Sequence, residues 1–449
     1  MRRRVMKTFL PSHFSFLYSP PMRFLLTFLG CHLAALFLPF ATPAETLLAG
    51  VARVDITPPL SMQAALGGYG ARMSRPAVGV HDSVWAKAVV LSQGERRFAI
   101  VTADLLGFPY KFKAALMERM APAGWSEERI LLLPSHSHTS LDLMALHPAN
   151  EFGIPQVGVF QKSLFDFTLD RLEQVISNAG RTLITAQAAT RTVELSRRNR
   201  NRRGGSVTEP ELIVTRIDRT DGNPLAVLVN WTAHPTIMNE SDMLFSGDWP
   251  GHLQRTLEAL IGNRVTVLYY NGAEGDQSPQ GPDGGGSRWE RAERYGREIG
   301  IEAWHAWNQT TPQPGAPLQF MTVPVKLPQR QTHPDFMKTG GAEYGLKPER
   351  MPEFLSKLLP TETHCTALRL GELVLIGVPG EMTAELGQAM KLKARASTGA
   401  AHVAIGGLAD EWISYILSPA EYRRGGYEAS MSNYGEALAE QFLKLELKF

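Results

Sequence analysis

The stretch Arg129–Ser140, RILLLPSHSHTS, decides the fold and marks its functional edge. An apolar run, Ile130–Leu133, ends at Pro134 and is followed by His136 and His138. A short apolar run that leads into polar residues predicts a buried strand and a loop. Ligands of α/β proteins bind beyond the carboxyl ends of such strands, so an extended loop would point both imidazoles into one cleft. The alternative is a hydrated loop with two unrelated histidines.

The composition is ordinary for a folded globular protein. The chain has 449 residues, of which 44% are hydrophobic and 20% charged, which is enough apolar content for a large core. The formal net charge of +2 gives no general attraction to nucleic acid, and no aromatic residues interleave the basic run Arg197–Arg203. That run is expected to be mostly a solvated basic loop, and we expect no nucleic-acid partner.

Residues 1–44 have the pattern of a secretory signal peptide. A basic start, MRRRVMK, precedes the apolar run Phe24–Phe40, and small residues follow before Glu45. Met22 is an alternative start. A retained anchor helix is the alternative to cleavage, although the apolar run is short for a membrane span. The sequence therefore predicts an exported protein, periplasmic or secreted, that keeps only Cys365 and forms no intrachain disulfide.

Strand-like and helix-like segments alternate along the rest of the chain. Short apolar segments such as Val84–Leu91 and Val265–Tyr270 predict strands, and the helical spacing of apolar residues over Phe160–Asn178 predicts a long helix. This mixture predicts an α/β fold with mixed β-sheets flanked by helices, in a single large domain over residues 45–449. Thr332–Pro360 is polar and irregular and is predicted to be a lid or an insertion.

Polar clusters follow four of the predicted strands, at Ser135–His138, Asn230–Thr236, Asn271–Pro279 and Val378–Glu381. Loops are polar in general. The histidine and glutamate residues of these clusters, flanked by Gly and Pro, nevertheless favour one cleft that the four clusters share and that holds a zinc site. Catalytic zinc is held by about three protein ligands and keeps one position open. The chain has neither an H-E-x-x-H motif nor a G-x-S-x-G elbow around Ser278, so spacing alone is weak evidence for these ligands.

The clusters and their order resemble the neutral/alkaline (non-lysosomal) ceramidases over nearly all of the chain after residue 44. The motifs that carry the resemblance are Gly50–Thr57 (GVARVDIT), His136–His138 (HSH), Ala233–Met238 (AHPTIM), Ser246–Asp248 (SGD), Asn271–Pro279 (NGAEGDQSP), Pro379–Glu381 (PGE), Tyr415–Tyr422 (YILSPAEY) and Tyr427–Ser430 (YEAS). Each motif alone is modest, whereas all of them in the family's order are strong evidence.

The resemblance implies a role for each of eight residues. Those implied to hold zinc (Zn2+) are His136, His234, Glu381 and Tyr415, and those implied to be catalytic are Ser278 as nucleophile, His138, Arg202 and Tyr427. Tyr427 keeps the family's spacing of twelve residues after Tyr415, and Arg200 is the alternative to Arg202. Without the resemblance, Glu381 could equally be a carboxylate at a helix N-terminus. The two tyrosines would then be interpreted as ordinary packing.

The implied chemistry is consistent with these residue types. Zinc polarises an amide carbonyl, a nearby histidine moves protons near neutral pH, and arginine and tyrosine stabilise an oxyanion. Ser278 either attacks directly or positions a water molecule. Tyrosine is an uncommon zinc ligand, so Tyr415 is alternatively a hydrogen-bond donor.

The predicted function is zinc-dependent amidohydrolysis of ceramide or a related N-acyl lipid to a fatty acid and an amine, with peripheral membrane contact. The alternatives are another amide or ester of the cell envelope, or a non-catalytic envelope binding protein. The resemblance covers the family's catalytic domain only, without its C-terminal immunoglobulin-like domain. This departure and the Gly-rich run Gly281–Gly286 leave the substrate open.

Overall fold

The structure is a computed structural model that describes residues 45–262, 264–281 and 284–449. The predicted signal peptide, residues 1–44, lies outside the described residues, so cleavage and export stay predictions. Within the described part of the chain, no helix is long and apolar enough to cross a membrane.

Strands and helices alternate from one end of the described chain to the other. In the first part they are β1 (Leu48–Asp55), β2 (Gly79–Val80), β3 (Trp85–Gln93), β4 (Arg96–Ala103), α1 (Phe112–Met120), β5 (Ile130–Pro134), α2 (Lys162–Gly180), β6 (Ile184–Glu194), β7 (Asn199–Asn201), β8 (Glu211–Arg219), β9 (Pro224–Asn230), β10 (Leu244–Phe245), α3 (Asp248–Ile261), β11 (Thr266–Tyr270) and β12 (Gln277–Pro279).

The second part of the chain adds the smaller sheet and its helices. Its elements are α4 (Arg288–Asn308), β13 (Leu318–Lys326), α5 (Gly340–Glu343), α6 (Met351–Leu358), β14 (Glu362–Leu370), β15 (Leu373–Gly377), β16 (Glu381–Met382), α7 (Ala384–Thr398), β17 (His402–Gly406), β18 (Tyr415–Ile416), α8 (Pro419–Arg424), α9 (Tyr427–Ser430) and α10 (Leu438–Leu443).

Two mixed sheets form the centre of the fold. The larger has eight strands in the order β11-β9-β8-β6-β1-β3-β4-β5, and the smaller has the order β13-β14-β15-β17. The larger sheet is two four-stranded halves, because β1 and β6 pair only through Leu48 with Thr185 and Ala49 with Ile184. In each sheet the parallel pairs lie at an end, namely β11 with β9, β4 with β5, and β15 with β17.

The two sheets pack face to face and helices cover their outer faces. Leu131 of β5, Leu228 of β9 and Leu375 of β15 belong to the same buried cluster between the sheets. Outside the larger sheet, α1 and α2 pack on one half while α3 and α4 pack on the other. Helices α6, α7 and α10 cover the smaller sheet. The predicted fold class, mixed β-sheets flanked by helices, is therefore confirmed.

Strand β5 is buried on both faces, as its continuous apolar run predicts. Ile130 and Leu132 join the cluster under α1 and α2, whereas Leu131 and Leu133 join the core between the sheets. Its free edge is closed by one residue, because Asp410 Oδ1 accepts from Leu132 N at 2.9 Å and Asp410 N donates to Leu132 O at 2.9 Å. An edge covered in this way leaves no unpaired backbone at Leu132.

One predicted segment is more regular in the structure than expected. Thr332–Pro360, expected to be irregular, contains α5 and α6, and its Phe336, Leu355 and Leu358 are buried. Apolar residues spaced along this segment, rather than its polar majority, determine where it packs.

Replacing Asp410 with asparagine tests the buried ion pair that supports β5. Asp410 Oδ2 lies 2.9 Å from Lys113 Nζ, and both side chains are almost fully buried. The new side-chain amide would still accept from Leu132 N but would leave the Lys113 charge unpaired. We expect Asp410→Asn to lower the free energy of unfolding by about 3–5 kcal/mol in denaturant titration at pH 7. Glu440→Gln, on an exposed helix pair, should leave the midpoint unchanged.

The same pair predicts a pH dependence in acid. Burial alone would raise the pKa of Asp410, but Lys113 and His364 hold it at about 2. The stabilising contribution is therefore present above the ordinary aspartate pKa and is lost as pH falls through about 2. Wild type should lose this part of its stability between these two pKa values and Asp410→Asn should not. Parallel losses in both proteins would contradict this assignment.

Candidate functional site

An apolar cleft opens where the four polar clusters meet. It encloses about 980 Å³, open mouth included, and His136, His138 and Glu381 lie in its wall. The rest of the wall is mainly apolar and aromatic, including Leu106, Leu143, Met144, Val157, Phe336, Tyr344, Leu346, Phe354, Leu358, Trp412 and Met431. The wall of the cleft thus combines a few polar side chains with a mainly apolar surface, as ligand pockets commonly do.

One buried amide ties the loops of this site together. Asn271, directly after β11, donates from Nδ2 to Ser135 O at 3.4 Å and to Ala233 O at 2.9 Å. Its backbone oxygen accepts from Gly407 N at 3.0 Å. The loops after β5, β9, β11 and β17 are therefore fixed to one another by a single side chain and its main chain. The expected shared mouth at the strand ends is observed.

His136 and His234 are held in the same manner. His136 Nδ1 lies 2.6 Å from Leu106 O, and His234 Nδ1 lies 2.7 Å from Glu274 O. An Nδ1–H that donates to a carbonyl leaves the lone pair of Nε2 free. Burial, followed by the charge of Arg202, lowers the pKa of His234 to about 4, so its imidazole is neutral at pH 7.

Glu381 completes a three-sided donor group with the two imidazoles. Its Oε2 lies 3.1 Å from His234 Nε2 and 3.6 Å from His136 Nε2, while Oε1 accepts from Trp412 Nε1 at 2.8 Å. Burial alone would raise the pKa of Glu381, but His136 and His234 hold it well below its usual range. The alternative of a helix N-terminal carboxylate does not describe this residue, which lies on β16 before α7.

His138 enters the same cluster by a different route than the extended loop we expected. His136 has a left-handed backbone at φ +68, and the chain turns after it. The imidazoles nevertheless meet, with Nε2 atoms 3.4 Å apart and rings nearly perpendicular. His138 packs so closely on Gly68 that a Cβ there would lie 2.1 Å from His138 Nδ1. Burial, with the neighbouring imidazoles, lowers the pKa of His138 well below its ordinary value.

Tyr415 and Arg202 form a second polar pair beside the first cluster. Tyr415 pairs with Glu381 across β16 and β18 and lines the cleft. Arg202 Nη2 donates to Tyr415 Oη at 2.9 Å and to Gly275 O at 2.9 Å, and its Nε donates to Glu428 Oε1 at 2.7 Å. Arg200, the alternative, is exposed. Of the two arginines, the structure brings only Arg202 to the site.

Arg203 corrects the expectation of a solvated basic loop. Its side chain is only 4% exposed and pairs with both Glu421 and Glu428. Its neighbour Arg202 shares Glu428, so this carboxylate fixes two arginines next to the cleft. The expectation is wrong here because two acidic residues, distant in sequence, return to this loop.

Tyr427 lines the cleft, whereas Ser278 does not. The ring centroid of Tyr427 is 6.3 Å from that of Tyr415, and the residue is 37% exposed. Ser278 lies on β12 opposite Arg200 of β7 and is not among the residues that line the cleft. The backbone oxygen of its neighbour Gln277 accepts from His234 N at 2.9 Å, so β12 nonetheless supports the cluster.

Glu274 is a site residue that the sequence analysis missed. It lies in the loop Asn271–Pro279, is fully buried, and neither carboxyl oxygen has a partner among the described residues. Its carboxylate, with His136 and Glu381, forms a group whose ligand atoms all lie within 4.8 Å of one another. Burial and the charge of Glu381 raise the pKa of Glu274 well above its ordinary value. The sequence signal that could have identified Glu274 is a carboxylate in the loop that follows a predicted strand.

The donor set fits a divalent metal ion. His136, His138 and His234 also form a group with all ligand atoms within 4.8 Å. Imidazoles oriented through Nδ1 and a carboxylate are the ligands that zinc and related transition metals take. The residues that could hold an ion are therefore His136, His234 and Glu381, with His138, Glu274 and Tyr415 beside them.

Most of the chain matches a family of known proteins. The sequence model described as neutral/alkaline non-lysosomal ceramidase, N-terminal, matches residues 47–280 and 350–444. Residues 281–349 lie outside the match. Most of the site, including all four polar clusters, lies inside it.

Similar proteins and structures agree with this match. Neutral ceramidase B of Dictyostelium discoideum is 22% identical over 86% of this chain and 69% of its own length. Neutral ceramidase of Pseudomonas aeruginosa is 22% identical over 91% of this chain and 72% of its own length. The crystal structure of the Pseudomonas protein has a TM-score of 0.75 at 19% identity, covering 89% of this chain and 73% of that one. At this identity the structure establishes the fold.

Removing the indole donor to Glu381 tests the donor set. Trp412→Phe keeps an aromatic ring but loses the hydrogen bond to Oε1, so Glu381 is less well oriented. We expect the affinity for a divalent metal to fall about 10- to 100-fold in chelator competition. Trp304→Phe, away from the cleft on α4, is the matched control and should bind as wild type does. Equal affinity in both variants would contradict a metal-binding role for Glu381.

Proposed function

Because this chain belongs to the neutral/alkaline non-lysosomal ceramidase family, we propose that it cleaves the N-acyl amide of ceramide or a related N-acyl lipid. The products are a fatty acid and an amine. As a member of this family the chain is a hydrolase that acts on linear amide C–N bonds.

The observation that carries the proposal is the position of the histidine–glutamate cluster in the wall of an apolar cleft. An N-acyl lipid needs a polar group at its amide and a long apolar surface for its chain. His138 and Glu381 supply the first, and residues such as Phe354 and Leu358 supply the second. A small hydrophilic amide would leave this apolar surface in contact with water.

Zinc is the ion we propose for the site, with His136, His234, Glu381 and Tyr415 as its ligands. Imidazole and carboxylate donors support this choice, since zinc hydrolases use such sets. Bound zinc polarises the amide carbonyl and lowers the pKa of a water molecule. Leu106 O accepts from His136, Glu274 O accepts from His234, and Trp412 Nε1 donates to Glu381, and these three hydrogen bonds support the orientation of three of the ligands.

The remaining polar side chains receive roles from their positions. His138 Nε2 faces the donor cluster and accepts the proton that the nucleophile releases. Arg202 orients the Tyr415 hydroxyl through its Nη2 donor. Tyr427, in the cleft wall, donates to the oxyanion of the tetrahedral intermediate. The role of Ser278, as nucleophile or as a residue that positions water, stays a prediction, as does peripheral membrane contact.

A second candidate function rests on the segment that the family model does not match. Residues 281–349 contribute Phe336, Tyr344 and Leu346 to the cleft wall. Because these side chains would contact the substrate, the same site could instead hydrolyse another amide or ester of the cell envelope. The non-catalytic alternative is disfavoured, because a binding protein has no need for the buried and costly donor cluster.

Replacing His234 tests the proposed zinc hydrolase. Wild type should contain about one zinc per chain and hydrolyse a fluorescent N-acyl sphingosine, whereas His234→Ala should lose both, because catalytic zinc depends on about three protein ligands. Elemental analysis and turnover are measured on the same samples. His305→Ala, an exposed histidine on α4, is the matched control and should retain both.

The outcomes of this experiment separate the hypotheses. Zinc without turnover of the sphingosine substrate would retain the metal site and favour another amide or ester. A folded wild type that takes up no zinc would contradict the ligand assignment.

The apolar cleft predicts a dependence on acyl length. Each methylene buried in the cleft contributes about 0.8 kcal/mol, so kcat/KM should rise about 4-fold per methylene until the cleft is filled. A homologous series of N-acyl sphingosines measures this slope. Leu358→Ala has a smaller side chain in the apolar wall, so its kcat/KM should stop rising at a different acyl length from that of wild type. Leu392→Ala, at an exposed position on α7, is the control and should behave as wild type does. A flat series would contradict acyl binding in the cleft.

A further inference from the structure

Glu274 combines full burial with a carboxyl group that nothing satisfies. Both of its oxygens are inaccessible and have no hydrogen-bond partner among residues 45–262, 264–281 and 284–449. An unpaired buried carboxyl is strongly unfavourable, and an ionised one still more so. Such a group persists in a fold when a ligand, a proton or a water molecule offsets that cost.

The surroundings of Glu274 point to a ligand. Its carboxyl oxygen lies within 4.8 Å of ligand atoms of both His136 and Glu381, which belong to the donor cluster. Its own backbone oxygen orients His234 through Nδ1 at 2.7 Å. One residue therefore contacts the cluster through its main chain and faces it with its side chain.

The fold also makes room for this carboxyl. Gly407, after β17, packs against it so closely that a Cβ would lie 2.5 Å from Glu274 Oε2 and 2.1 Å from Gly272 O. Gly407 N is at the same time held by Asn271 O at 3.0 Å. The missing side chain at Gly407 is thus required for the carboxyl to occupy its position beside His136.

We propose that Glu274 is an additional carboxylate ligand of the metal ion that His136, His234 and Glu381 hold. This inference rests on the proposed metal site and deepens it, since Tyr415 is the fourth ligand implied by the family resemblance and Glu274 is not among those implied. A second carboxylate adds negative charge and a hard oxygen donor. Mn2+ prefers carboxylate oxygens to imidazole nitrogens as ligands. A second carboxylate, Glu274, therefore widens the range of metal ions that the site binds tightly.

Glu274→Gln tests the assignment, because it keeps the shape of the side chain and removes its charge. The affinities of the purified full chain for Zn2+ and Mn2+ are measured by chelator competition. Loss of an outer-sphere partner costs about 10- to 100-fold. Loss of a ligand should exceed about 100-fold, and the loss should be larger for Mn2+ than for Zn2+. Zinc X-ray absorption should also lose one oxygen neighbour.

Asp276→Asn is the matched control for removal of a nearby buried carboxylate. Asp276 lies two residues away in the same loop, and its oxygens already accept from Ala384 N at 2.9 Å and Asn201 Nδ2 at 2.6 Å. The metal affinity of Asp276→Asn should differ from that of wild type by less than about 10-fold, because Asp276 acts on the ion only through a distant charge.

Three results would overturn the assignment. Glu274→Gln with zinc affinity within about 100-fold of wild type and an unchanged absorption spectrum identifies Glu274 as an outer-sphere partner or a buried neutral acid. The assignment also fails if wild type binds no metal, and in that case the proposed zinc site fails with it. If the variant does not fold, a crystal structure of the Zn2+-loaded wild type decides. A zinc ion about 2.0–2.2 Å from a Glu274 oxygen supports the assignment, and a longer distance overturns it.

Discussion

The buried side chain of Asn271 is the interaction on which the site depends. A buried amide must find partners for its donors and its acceptor. Here Nδ2 donates to Ser135 O after β5 and to Ala233 O after β9, and Oδ1 accepts from Ala233 N and Gly272 N. The backbone oxygen of the same residue accepts from Gly407 N after β17. Each of these loops carries a polar side chain that would be costly to bury alone. Because one residue bonds the loops after β5 and β9, these loops take a single relative position, in which the rings of His136 and His234 lie 4.8 Å apart. Glu381 Oε2 then approaches both imidazoles.

The charged side chains around the donor cluster are also paired and hydrogen-bonded. Glu381 is buried beside two imidazoles and an indole donor, and the partly buried Arg202 donates to Tyr415 and to the buried Glu428. Buried charges persist when they are paired and hydrogen-bonded, and removing one partner leaves the other exposed to a large desolvation cost. The network therefore orients the donors as well as stabilising the loops. Glu274 differs from Glu381 and Glu428 in that no protein group within the described residues pairs with it.

Much of the fold and the site was predictable from local pattern. The apolar run of β5, the strand β11 and the long helix α2 were all expected, because burial on one or two faces leaves a periodic trace in the sequence. The convergence of His136 and His138 was predicted, but for a wrong reason, since the chain turns at a left-handed His136 instead of remaining extended. The segment Thr332–Pro360 was expected to be irregular, yet its few apolar residues form a wall of the cleft.

The sequence by itself determined the elements, the mixed α/β class and the candidate donors, because hydrophobic period and residue chemistry are local properties. Only the tertiary structure decided which donors meet. The residues alone did not separate Arg202 and Arg203 from their exposed neighbour Arg200, and only the family resemblance favoured Arg202. In the structure Glu428, far along the chain, pairs with both Arg202 and Arg203. Glu274 likewise looked like any loop carboxylate, since its full burial beside His136 depends on the room left by a glycine at position 407. Contacts between distant segments leave no periodic trace in one sequence, and the physical environment of a charge is made of such contacts.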